Sequence, residues 1–221
     1  MFVVVSPHLD DAVFGCGAML AAHPGSVVVT VFAAMPADAG IATDWDARCG
    51  FADAGAAMAA RRAEDKAALA EVGAVPHWLD FVDGQYGGAI ADDAIATAIA
   101  RALTTLDATR VFIPLGLFHD DHLRVHRAAV AAWRGHAGTA AWAYEDAIYR
   151  AMTGLLDGRV AELHASAHLR IAATPTTFAC SADDAARKAS AVRRYASQAP
   201  ALGAEGMADA ARPERYWQLL P

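Results

Sequence analysis

Two short stretches of the chain hold residues whose types and spacing can do chemistry. In "VVVSPHLDDAVFGCG" (Val3 to Gly17) an apolar, β-branched run breaks directly into His8, Asp10 and Asp11. In "RVFIPLGLFHDDHLRVH" a second such run delivers His119, Asp120, Asp121 and His122, followed by His126. One carboxylate after a strand reads as a helix cap. Two carboxylates and an imidazole within four residues of a strand end point instead to cation binding or proton transfer. One imidazole and two carboxylates hold a catalytic metal poorly, so the second cluster is the expected source of further ligands. Some of its members have plainer roles: Asp120 is the favoured cap of the helix after it, and His126 reads as a helix-face residue. His122 and His126 stand four apart, as a helical metal pair would, but lack the glutamate of an HExxH site.

The scaffold around these clusters is legible in the hydrophobic pattern. Short β-branched runs ("FVVVS", "SVVVTVFAA", "HWLDFV", "RVFIPLG", "AAWAYE", "LRIAATPTTF") alternate with alanine-rich segments that predict helices at about Gly15 to Ala22, Gly55 to Val72, Asp92 to Leu106, His122 to Arg134 and Ala182 to Ala196. Strands apolar on both faces, alternating with helices, predict βαβ units in a three-layer α/β domain with a mostly parallel sheet. Strands one and four are neighbours in a doubly wound order, at the point where it reverses. The loops leaving them would therefore bring His8, Asp10 and Asp11 face to face with His119, Asp121 and His122. "GCGAMLA" opens a helix after a strand, as a dinucleotide turn does, but Asp10 and Asp11 occupy the turn where a pyrophosphate would sit. Gly15 and Gly17 then serve close helix-to-sheet packing. The segment Pro36 to Ala54 is too long for a tight connection and is read as a lid or substrate loop, with disorder as the alternative.

Composition narrows the class. At 221 residues and 56% hydrophobic content the chain is expected to form one domain, 1–221. A net charge of -7 with scattered basic residues argues against a nucleic-acid partner. No stretch approaches the roughly 20 apolar residues of a membrane span. Met1 runs straight into "FVVV" without the basic start of a secretory leader. Three widely spaced cysteines, Cys16, Cys49 and Cys180, form no disulfide framework. A cytoplasmic protein is expected.

At these residues the chain resembles the PIG-L/LmbE-like family of zinc-dependent de-N-acetylases. "PHLDDAVFGCG" is similar to the family's His-Pro-Asp-Asp-Glu-type motif after its first strand, and "HDDH" to its His-Pro-Asp-His-type motif after the fourth. "RRAEDKAALAEVGA", "VDGQ" and "KASAVRRYASQ" resemble its Arg-x-x-Glu helix, acidic turn and closing Ser-Gln helix. Leu9 and Asp120 stand where the motifs carry proline, and Ala12 where they carry glutamate. The resemblance implies a Rossmann-like fold with a metal site at the carboxyl ends of strands one and four. It implies one Zn²⁺ per chain on His8, Asp11 and His122, with Fe²⁺ or Co²⁺ able to take the same ligands. Asp10 is then the general base, and His119 stabilises the oxyanion or protonates the leaving amine, with Asp121 orienting its imidazole. Arg61 and Asp83 either hold sugar hydroxyls or pair at the surface. The implied reaction removes an acetyl or other acyl group from an N-acylated glucosamine-type sugar, here a soluble glycoconjugate. Trp45, Phe51, Trp78 and Tyr86 are candidates for a sugar-stacking wall at its mouth. A metal-dependent esterase or phosphoesterase, or a non-catalytic metal- or sugar-binding protein, are the competing classes.

Overall fold

In the computed structural model, which describes residues 1–87 and 91–220, seven strands form one sheet: β1 (Phe2–Ser6), β2 (Val27–Thr30), β3 (Val75–Trp78), β4 (Arg110–Pro114), β5 (Ala140–Tyr144), β6 (Arg170–Ile171) and β7 (Tyr216–Leu220). Residues 88–90 and Pro221, which the expected unit 1–221 also covers, lie outside the described residues. The order is β3-β2-β1-β4-β5-β7-β6, parallel from β3 to β5 and antiparallel where β7 joins β5 and β6. β1 pairs with β2 on one side (Val3 opposite Val27) and β4 on the other (Val3 opposite Val111). The strand order therefore reverses at β1 and β4, as the sequence predicts.

Valine dominates β1 and β2 because both faces are covered. Val3, Val5, Val29 and Val111 pack on one side with the helices α4 (Asp92–Thr105) and α5 (Asp120–Arg134). Val4, Val28 and Phe112 pack on the other with α1 (Asp11–Ala22), α3 (Ala54–Val72) and α7 (Ala182–Val192). The five predicted helices are present. Three more form that periodicity did not reveal: α2 (Asp44–Arg48), α6 (Leu155–Ala165) and α8 (Ala199–Ala210). The terminal β7 was also unforeseen, since "YWQLL" has no helix partner that would mark it as part of a βαβ unit.

Helix α1 begins at Asp11, and glycine allows its close approach to the sheet at Gly15, as expected, but to α7 rather than the sheet at Gly17. A Cβ on Gly15 would lie 2.6 Å from the Tyr144 ring, and one on Gly17 would lie 2.8 Å from the Lys188 stem. The Tyr144 hydroxyl donates to the Val5 carbonyl at 3.0 Å, and the Lys188 ammonium donates to the Phe14 carbonyl at 2.9 Å. Both glycines thus serve packing.

The segment 36–54 holds α2 and leads into α3. Thr43 caps α2 by accepting from Asp46 N, and Asp53 caps α3 by accepting from Ala56 N. Among the described residues no helix is long and apolar enough to cross a membrane.

Candidate active site

The turn after β1 is built by its own side chains. Ser6 Oγ donates to the His8 carbonyl (2.7 Å) and accepts from Ala12 N (3.0 Å), while Asp11 Oδ2 accepts from His8 N (2.9 Å). These bonds aim His8 and Asp11 at one point. Asp10 is the N-cap of α1 but makes no side-chain cap bond, so its carboxylate faces the cavity instead.

Across the sheet's carboxyl edge, β4 delivers the second cluster. His122 Nε2 lies 3.3 Å from Asp11 Oδ2, and His8 Nδ1 lies 3.3 Å from the same oxygen. His8, Asp11 and His122 each present one donor atom within 4.8 Å of the others. The far nitrogen of each imidazole is held by a further carboxylate. His122 Nδ1 donates to Asp146 Oδ1 at 2.6 Å, and His8 Nε2 donates to Asp121 Oδ2 at 3.2 Å. Asp146 is itself fixed, its second oxygen accepting from Gly116 N at 2.9 Å. Carboxylates on the outer nitrogens fix each ring's tautomer and turn its free lone pair inward, as metal-ligating histidines require. The donor set and its supports therefore fit a divalent cation with nitrogen and oxygen preference.

The charges within the cluster point the same way. Burial opposes a charged His8, yet hydrogen bonds to Asp11 and Asp121 raise its pKa well above the ordinary value. Burial likewise opposes a charged His122, and Asp11 with Asp146 raise it. Burial disfavours the Asp11 carboxylate too, but His122 and His8 hold its pKa well below the usual range. Shifts in these directions mark a place that favours positive charge, and binding of a metal there would compete with protons for the imidazoles. Asp10 is pushed up to about 7, first by burial and then by the neighbouring Asp11 charge.

His119 caps α5, its Nδ1 accepting from Asp121 N at 3.2 Å. This corrects the expectation for Asp120, which lies inside the first turn of the helix. Because Nδ1 accepts, the ring proton resides on Nε2. Burial and the His8 charge lower the pKa of His119, which keeps the ring neutral. Asp121 Oδ2 lies 3.9 Å from His119 Nδ1 and only 3.2 Å from His8, so its closer imidazole is His8. His126 is buried with Nδ1 on the Pro114 carbonyl (2.8 Å), and burial lowers its pKa to about 4. It belongs to neither group of metal-competent donors, His8 with Asp11 and His122 or His8 with His119 and Asp121.

Arg61 and Asp83 both line the cavity, and neither forms a surface pair. Arg61 is buried, bonding Asp46 Oδ1 (2.6 Å) and the Tyr86 hydroxyl (2.9 Å), while its Nε has no partner. Asp83 accepts from Gln85 N and Nε2, at 3.0 and 2.9 Å, and stands 4.0 Å from His8 Nε2. The paired helices have a structural meaning: Glu64 on α3 accepts from Ser197 N (2.8 Å) and Oγ (2.7 Å), which docks the Ser-Gln turn. The adjacent Gln198 then accepts from Trp45 Nε1 at 3.2 Å, so α2 is tied down over the site.

The cluster forms the floor of a cavity of about 520 Å³. Of the four aromatics expected around its mouth only Trp45 lines it; Phe14, Phe32, Phe118, Tyr149 and Tyr195 supply the rest of the aromatic wall. Tyr86 and Trp78 pack inward, Trp78 donating to Asp65 at 2.8 Å. Sequence reasoning missed Asp146 and Tyr149. The signal was present in "AWAYED", an apolar strand breaking into acid at the same sheet edge as "VVVSPHLDD".

Comparison with known proteins places this geometry in context. Residues 3–133, more than half of the chain, match the family model described as PIG-L, GlcNAc-PI de-N-acetylase. A sequence comparison with curated proteins gives no significant match. Among solved structures, the A40926 pseudoaglycone deacetylase superposes with a TM-score of 0.82 at 26% identity, covering 99% of this chain and 96% of its own. A zinc-inhibited form of teicoplanin deacetylase superposes at 0.80 and 23% identity, covering 99% and 97%. The 4-carboxy-2-hydroxymuconate hydratase of Pseudomonas putida superposes at 0.65 and 16%, covering 99% and 95%. The last two likenesses speak for the fold alone.

Proposed function

The chain belongs to the PIG-L family, and on that premise we propose that it is a metal-dependent hydrolase removing the acyl group from an N-acylated glucosamine-type sugar, with 1–221 as one catalytic domain. The observation that carries this reading is the arrangement of His8, Asp11 and His122 at the floor of a large cavity, each imidazole backed by a carboxylate. Those three residues would hold one Zn²⁺, with Fe²⁺ or Co²⁺ as substitutes. When bound, such an ion polarises the amide carbonyl and makes water more acidic.

The remaining steps fall to the chain's own groups. Asp10 faces the cavity free of any cap bond, so its carboxylate is available to take the proton of the attacking water. Asp10 can then pass that proton on to the departing amine, while His119, which carries its one ring proton on Nε2, steadies the developing oxyanion. Asp83 and Arg61 lie on the cavity wall, where both could meet sugar hydroxyls. The likeness to the A40926 pseudoaglycone deacetylase supports a soluble glycoconjugate as the substrate class. The three unpaired cysteines support a cytoplasmic setting.

The test is incubation of the protein, loaded separately with Zn²⁺, Co²⁺ or Fe²⁺, with a panel of N-acetylated glucosaminides and O-acetylated sugars. Acetate and free amine released in equal amounts from the N-acetylated members are expected. Acetate from the O-acetylated members alone would make the protein an esterase, and acetate from neither would reject the reading.

A further inference from the structure

The wall beside His119 contains a strained and exposed aromatic residue that the reaction itself does not use. Phe118 is 59% exposed, the most exposed large hydrophobic side chain among the described residues. Its backbone adopts φ 59, in a three-residue turn closed by the His119 N–H on the Leu117 carbonyl at 2.7 Å. A bulky residue in the left-handed region is strained, and this conformation points the ring outward instead of burying it. Both features are unfavourable in a surface loop without a role, and such strain clusters at ligand sites.

A second aromatic completes the surface. The Phe118 ring lies 5.5 Å from that of Tyr149, tilted by 33°. Tyr149 in turn meets His122 edge-on at 5.1 Å. The preceding Ile148 also has a left-handed backbone (φ 65), held there by its N–H on buried Asp209 at 2.7 Å, while Arg150 grips the same carboxylate at 3.0 Å. Ile148 and Leu202 continue the apolar wall, and all four residues line the cavity. The result is a preorganised apolar surface running from the catalytic floor to the mouth.

From this we infer that Phe118 and Tyr149 form a specificity subsite for an apolar, preferably aryl, aglycone on the sugar. The inference rests on the proposed deacetylase reading in one respect. There the acetyl group sits at the cavity floor beside His8, Asp11 and His122 and is too short to reach a ring that is 59% exposed at the mouth, so the part of the substrate that meets Phe118 is the sugar's side and not the acyl side. Aromatic stacking of this kind contributes a factor of about 2 to 10 in affinity.

The experiment compares methyl and phenyl β-glycosides of N-acetylglucosamine, and N-acetyl with N-butyryl methyl glycosides, in the metal-loaded wild type, Phe118→Gly and Phe118→Tyr. Glycine removes the ring and relieves the backbone, so its Tm should not fall. Expected is a wild-type preference for the phenyl glycoside whose kcat/KM ratio falls about fivefold in Phe118→Gly, mainly through KM, and is kept in Phe118→Tyr. A wild type without that preference, an unchanged ratio in Phe118→Gly, or a change confined to the butyryl substrate overturns the subsite. Should the wild type deacetylate none of the glycosides, the reaction is misassigned. Calorimetric binding of the phenyl glycoside then decides the subsite by itself: weaker binding to Phe118→Gly supports it, and equal binding rejects it.

Discussion

Asp146→Asn changes one atom of the carboxylate behind His122, and the hydrogen bonds around that atom set its consequence. Wild-type Asp146 receives two donors, His122 Nδ1 at 2.6 Å and Gly116 N at 2.9 Å. Asparagine keeps the volume but can accept through only one side-chain oxygen. If that oxygen stays with Gly116, the amide NH₂ confronts Nδ1, and the ring proton must move to Nε2, the nitrogen that faces Asp11. A protonated Nε2 is no ligand. Removing such outer partners weakens metal binding by about 10- to 100-fold, or about 1.4 to 2.7 kcal/mol. If the amide flips instead, the buried Gly116 N–H loses its acceptor, and stability falls by about 1 to 3 kcal/mol. Titrating metal-free protein with Zn²⁺ against a chromophoric chelator reads the first loss, and denaturant unfolding reads the second. A variant matching the wild type in both would refute the assignment of Asp146 as the anchor of His122, and with it the inward lone pair on which the proposed metal site rests.

Asp10→Asn should retain metal while losing about 10²- to 10⁴-fold in turnover, measured as acetate release alongside elemental analysis; full activity would locate the base elsewhere. Asp46→Ala should strand the buried Arg61 guanidinium and cost about 3 to 5 kcal/mol in denaturant unfolding, whereas an ordinary loop substitution would cost under about 0.5. Asp65 gives a pH prediction. Burial pushes its carboxyl up to about 7, despite hydrogen bonds from Trp78 and Tyr195. The unfolded value is about 3.9, so the folded state holds the extra proton. The resulting stability is fully present below about pH 4 and is lost as pH rises through 7, by at most about 4 kcal/mol. The Tm difference between Asp65→Asn and the wild type should therefore shift in the variant's favour from pH 5 to pH 8, and a pH-independent difference would contradict this.

Much of the site could be read along the chain because it is made of residues local to two strand ends. A parallel sheet buries its strands on both faces, so unbroken valine runs disclosed β1, β2 and β4, and the reversal of strand order at β1 and β4 made their loops converge. The convergence of His8, Asp10, Asp11, His119, Asp121 and His122 stems from that one topological fact. Local turn chemistry was less legible: His119 rather than Asp120 caps α5, since only the folded turn shows which side chain meets the Asp121 N–H. Spacing could not supply partnership between distant segments. Asp146 finds His122 from another strand, Asp121 turns toward His8, and Asp46 draws Arg61 into a buried pair. Each of these choices depends on packing distances of about 3 Å between elements that sequence order leaves independent. The order of residues along the chain was enough to show which titratable side chains come together and at which edge of the sheet. Only the folded structure decided which nitrogen of each imidazole faces inward and which aromatic side chains form the cavity wall, because both are set by contacts between segments far apart in the chain.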